Sequence, residues 1–172
     1  NAPTVSVTGG PFAIPRSTPF ELISNAGADA DGDTLSYSWE QFDLTSGGTG
    51  VALSAGDIGS TPIFRNWLPA ASTTRVFPRN ALTNGALPVG EVLPTTTRVL
   101  NYRVIVRDNR AGGGRVGETT LQISVNNAQG PFAVTFPNGG AAISGMQTVT
   151  WNPAGTPDPN VEIRLSTNGA AT

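Results

Sequence analysis

Apolar and polar residues alternate with a period of two in several short stretches of this chain, and turn residues separate them. That period is the mark of a β-strand with one buried face. Leu35, Tyr37 and Trp39 alternate with Ser36 and Ser38, predicting a strand over residues 35–42. Tyr37 and Trp39 are expected in the core rather than on a ligand-stacking platform. Asn101 to Arg107 places Tyr102, Val104 and Val106 on one face, opposite Arg103 and Arg107, which read as a solvated stripe. Thr119 to Val125 repeats the pattern with Leu121, Ile123 and Val125. Asp108 to Gly114 between these two reads as a flexible hairpin connection. Thr4–Thr8 and Phe20–Ile23 are two further candidates, and long helical stretches are missing. Six or seven short strands with turns between them predict an all-β fold of the β-sandwich type.

The stretch from about 44 to 98 departs from this rhythm. It is rich in Pro, Gly and Thr, and it carries Phe64, Trp67, Phe77 and several leucines. Structureless loops of that length are uncommon in compact domains. An ordered insertion packed on the sandwich is expected, with short extra strands or a turn of helix. Trp67 and Phe64 are the aromatics most open to a sugar ligand there, although packing is the better account of both. A boundary is expected near Asn126–Pro131, after which Pro131–Gly140, Gln147–Trp151 and Val161–Ser166 restart a β pattern. The predicted organisation is a sandwich over 1–127 and the start of a second β-module over 128–172. Three strands are too few to close that second module.

Composition then removes several chemistries. The 172 residues include no cysteine and no histidine, and all ten positive charges are arginine. A Ser-His-Asp or Cys-His catalytic group, a histidine-ligated zinc site and a Schiff-base lysine are therefore excluded. The net charge of −2 argues against broad nucleic-acid binding. No apolar run approaches the ~18 residues of a membrane span. The chain opens on Asn-Ala-Pro and shows no signal peptide, so it reads as a piece of a longer protein. Glu40 and Asp43 resemble a glycosidase pair only as any two acidic surface residues do. No enzymatic activity is expected.

Asp29-Ala30-Asp31-Gly32-Asp33 places three carboxylates within five residues, immediately before the Leu35 strand. Such a turn forms in any solvated loop, because Asp favours turn geometry. Mutual repulsion and the oxygen-only donor set point further, to a hard cation such as Ca2+ with its six to eight oxygen ligands. An EF-hand does not fit. Counted from Asp29, Glu40 stands twelfth, but Thr34 stands sixth where glycine is needed, and a strand fills the rest of the loop.

The pairing of Asp29–Trp39 with Val104–Arg110 resembles the PKD and cadherin-like (Ig-like) modules of secreted bacterial proteins. That resemblance implies one structural Ca2+ held by Asp29, Asp31 and Asp108, with Asn1 contributing and Asp33 facing solvent or capping the turn. A wider resemblance rests on Ile14–Phe20, Trp39–Gln41, Phe64-Arg65, Gly90–Pro94, Arg107–Gly114 and Gly130–Phe132. Together these look like the region that follows the catalytic domain in bacterial reprolysin-like zinc metallopeptidases. The HExxH helix of that family is absent, as the lack of histidine requires.

The resemblance implies a calcium-stabilised, non-catalytic spacer or scaffold, secreted or at the cell surface, with the parent catalytic domain in the same polypeptide as its partner. The alternative is an adhesin-type module that recognises an extracellular protein or polysaccharide.

Overall fold

The computed structural model describes residues 1–10, 12–44, 56–79, 81, 87–138, 140, 142–156 and 163. Within them the chain forms eight strands and no helix: β1 (Phe12–Pro15), β2 (Phe20–Ile23), β3 (Ser36–Gln41), β4 (Thr74–Phe77), β5 (Arg98–Arg107), β6 (Val116–Asn126), β7 (Ala133–Phe136) and β8 (Thr150–Asn152). The fold is all-β, as the alternation predicts. None of the described residues belongs to a helix long and apolar enough to cross a membrane.

Three sheets result. A four-stranded sheet runs β1-β6-β5-β3, and the pairs β2-β4 and β7-β8 form two smaller ones. β5 and β6 are the longest strands and pair antiparallel from Arg98↔Val125 to Arg107↔Val116. Their β-branched and aromatic residues suit a pleated, half-buried surface. β3 lies antiparallel on the far side of β5, with Trp39 opposite Val104. β1 is the only parallel member, running beside β6 from Phe12↔Ile123 to Pro15↔Asn126. A proline fits at its end because an edge strand does not need that amide.

The four-stranded sheet and the β2-β4 pair share one core. Tyr37, Trp39, Leu100, Tyr102, Val104, Val106, Ile123 and Val125 meet Leu22 and Phe77 there. Phe77 anchors the centre: its ring stacks on Phe20 at 5.2 Å and meets Tyr102 edge-on at 4.9 Å. Such pairs add about 0.5–1.5 kcal/mol beyond their buried area.

The expected insertion is ordered over its described part and packs on the core through Ile63 and Phe64. Two polar side chains fasten it. Gln41 Oε1 accepts the amides of Ile63 at 2.8 Å and Phe64 at 3.0 Å. Asp57 accepts the amides of Gly59, Thr95 and Thr96, the Thr96 hydroxyl and the Arg98 guanidinium. Burial opposes ionisation of Asp57, but these donors outweigh it and hold its pKa at about 2.

Several expectations are corrected. Thr4–Thr8 is not a continuous strand; it makes one bridge, Thr4 to Ala28, and Ser6 O accepts the Asn25 amide. The first regular strand is instead β1. Phe64 packs in the core, the better of the two accounts given for it, and offers no open face. The serine side of β3 is not fully solvated: Ser36 is half-buried, and Ser38 is buried and accepts from Arg107 Nη1 at 2.8 Å. Nor is the arginine stripe free: Arg103 pairs with Glu40 at 2.9 Å and with Glu118 at 3.6 Å. Beyond Asn126, β7 and β8 match two of the three expected strands. Apart from Ile163, the third, Val161–Ser166, lies outside the described residues.

Candidate functional site: the acidic turn

The turn at 29–33 lies between the Thr4–Ala28 bridge and the start of β3. Asp29 organises it. Its Oδ1 accepts the amides of Asp31 at 2.9 Å and Asp33 at 3.2 Å, the side-chain-to-backbone pattern that makes Asp a turn former. Gly32 closes the turn at a φ of 77°, a backbone region glycine enters without strain.

This geometry converges three carboxylates. Asp29, Asp31 and Asp33 each present an oxygen, and the three oxygens lie within 4.8 Å of one another. Two oxygens in the turn are buried without a hydrogen-bond partner among the described residues, Asp29 Oδ2 and Asp33 Oδ2. An unpartnered buried carboxylate oxygen is costly, because neither water nor a protein donor replaces its lost solvation. A cation would supply what both lack, so the residues present fit a hard, oxygen-seeking ion.

Asp31 differs from its neighbours. Its Oδ2 accepts from Asn1 N at 2.7 Å and from Arg110 Nη1 at 3.1 Å. The Asp33 carboxylate lies 3.9 Å from the same Arg110 nitrogen.

Of the residues expected to share an ion, Asp29 and Asp31 come together and Asp108 does not join them. Asp108 is buried at the end of β5, where Oδ1 accepts the amides of Arg110 and Arg115 and Oδ2 accepts Arg115 again. It closes its own hairpin. Its neighbours make the link to the acidic turn: Asn109 donates to Thr34 O and accepts from Ser36 Oγ, while Arg110 reaches Asp31. Asn1 lies beside Asp31 through its backbone nitrogen and offers no oxygen to the cluster. Asp33, expected in solvent or as a cap, is the third member of the cluster. Equal spacing along 29-31-33 was the available signal for it.

Glu40 and Asp43 serve structure. Glu40 binds Arg103, and Asp43 accepts from the amide and side chain of Asn101 and from Gln41. Among known proteins, no family model matches this chain, and no curated protein or solved structure matches it significantly.

Proposed function

We propose that this chain is a non-catalytic, calcium-stabilised accessory module of Ig-like architecture. Its strand pairing supports that architecture. β3, β5 and β6 follow one another in the order of the C, F and G strands of an immunoglobulin sandwich, and β2-β4 corresponds to its B-E pair. Trp39 is the buried tryptophan that such folds carry on strand C. The short β7-β8 sheet after Asn126 begins a second module.

The observation that carries the functional reading is the pair of orphaned oxygens, Asp29 Oδ2 and Asp33 Oδ2, in a cluster of three carboxylates. In this reading Asp29, Asp31 and Asp33 hold Ca2+ while Asp108 shapes the neighbouring hairpin. The ion neutralises the turn and stiffens the entry to β3. The placement in a secreted bacterial metalloprotease, beside its catalytic domain, rests on the sequence resemblance, as does location outside the cell or on its surface. Calcium is plentiful there, and mass action then favours the folded state.

Isothermal titration with CaCl2 tests the site. A single site with Kd between about 0.1 and 1 mM is expected, the range of extracellular calcium modules. Loss of that heat in Asp29→Asn supports the assignment, whereas an unchanged isotherm in Asp29→Asn refutes it.

A further inference from the structure

Between the outer edge of β3 and β4 lies a groove of about 550 Å3, walled by Tyr37, Trp39, Trp67, Leu68, Arg75 and Arg79. Its chemistry is set by one buried carboxylate and the arginines around it. Glu91 is buried, and its Oε1 accepts from Trp67 Nε1 at 2.6 Å and from Arg75 Nη2 at 2.7 Å. Its Oε2 accepts the Arg79 amide at 2.7 Å. Arg75 also donates Nη1 to Trp39 O and Nη2 to Arg65 O. That leaves Arg65 and Arg79. Both are exposed and hold their guanidiniums over the Trp67 ring, at 4.7 Å and 4.3 Å. Among the described residues, neither ion-pairs with a carboxylate.

An arginine held over an indole is pre-organised, with the edge of its planar fork available for bidentate contact to a carboxylate. Two such forks beside one groove, on a protein whose net charge is −2, are a local reversal of sign. The apolar side of the groove is equally specific. Leu68 is 90 % exposed at its rim, next to exposed Pro69, while the hydroxyl residues Ser72 and Thr74 line it too. A neutral sugar would need an open aromatic face. Tyr37 and Trp39 are only 7 % and 3 % exposed, and guanidiniums already lie over Trp67.

We propose that this groove binds an acidic peptide segment, in which carboxylates engage Arg79 in the groove and Arg65 beside it and a neighbouring aliphatic side chain packs on Leu68. The site is independent of the acidic turn. A clamp of this kind favours an extended strand that alternates acidic and aliphatic residues, since successive side chains then face different walls. Fluorescence anisotropy with a labelled Leu-Glu-Leu-Glu-Leu-Glu peptide tests it on the full chain, with the Leu-Gln isostere and a polygalacturonate hexamer as the other arms.

Saturable binding of the Glu peptide, tighter than about 1 mM and the same in calcium or chelator, is expected. Arg79→Glu and Arg65→Glu should each weaken it by about tenfold or more, at unchanged Tm. Equal binding of the Leu-Gln peptide overturns the proposal, as does indifference to both arginine variants. Absence of saturation by the Glu peptide overturns it too. An Arg79-dependent preference for polygalacturonate would assign the groove to an acidic polysaccharide instead and also overturn it.

Discussion

The Arg110 guanidinium lies 3.1 Å from Asp31 Oδ2, joining residues 79 positions apart in the chain. This contact brings the β5-β6 hairpin against the acidic turn, and Asn109 reinforces it through Thr34 O and Ser36 Oγ. It also gives the carboxylate cluster a built-in cation. Asp31 is thus partly neutralised, while Asp29 Oδ2 and Asp33 Oδ2 keep no hydrogen-bond partner among the described residues. Arginine and a bound ion compete for the same anionic field.

Removing that competitor should favour the ion. Arg110→Ala is expected to bind calcium about fivefold more tightly, the worth of one unit charge a few ångströms away across a solvated gap. It should also lower stability in chelator, where the turn loses its internal counter-charge. Calorimetric titration and urea unfolding measure the two effects, and weaker calcium binding in the variant would contradict the competition.

Glu91 holds the insertion to the β2-β4 sheet. Glu91→Ala leaves the largely buried Arg75, the Trp67 indole N–H and the Arg79 amide without their acceptor. Burial already works against the charge on Arg75, and Glu91 counters it. Breaking such a pair from one side costs about 3–5 kcal/mol. Urea denaturation should show a loss of that size; a change under about 1 kcal/mol would mean that the pair is not buried in solution.

Asp57 makes stability depend on acid. Its folded pKa of about 2 lies below the ordinary 3.8, so the unfolded chain takes up the proton first. The resulting stabilisation, about 2 kcal/mol, is complete well above pH 4 and is lost as pH falls through about 2. Asp57→Asn should remove that acid-dependent term and reduce stability at neutral pH. A wild type and variant with parallel stability curves from pH 5 to pH 2 would remove Asp57 from this role.

Tyr102 carries a phenol hydroxyl into the core with no hydrogen-bond partner among the described residues. Burial above all raises its pKa well above the ordinary value; Arg75 opposes the shift and the Asp43 carboxylate adds to it. Tyr102→Phe keeps the ring contacts with Phe77 and Phe20 and removes an unpaired polar atom. Stability should hold or rise by up to about 1 kcal/mol. A clear loss would mean that the hydroxyl is hydrogen-bonded in solution.

The strands that alternate over six or more residues were legible in the sequence. β3, β5 and β6 carry the pattern far enough to specify both the strand and its buried face. β1 and β4 are four residues each, too short for a period to stand out, and β4 lies within a stretch crowded with Pro and Thr. The acidic turn was visible as a cation candidate, but the resemblance set Asp108 rather than Asp33 as its third member. Choosing between Asp33 and Asp108 requires knowing that the Arg110 and Arg115 amides fold back onto the Asp108 carboxylate. That is hairpin geometry, which composition and spacing do not encode. The Trp67-arginine groove was hidden for a related reason: Arg65, Trp67 and Arg79 meet only once the chain turns through β4.

The most direct test of the central claim is thermal unfolding in calcium and in chelator, on the wild type and on Asp31→Ala and Asp29→Asn. At calcium about tenfold above Kd, linkage gives roughly 1.4 kcal/mol and a Tm higher by about 5 °C in the wild type. Both variants should lose that shift. Identical melting of the wild type in calcium and in chelator would contradict the account and leave the 29–33 turn an ordinary solvated loop.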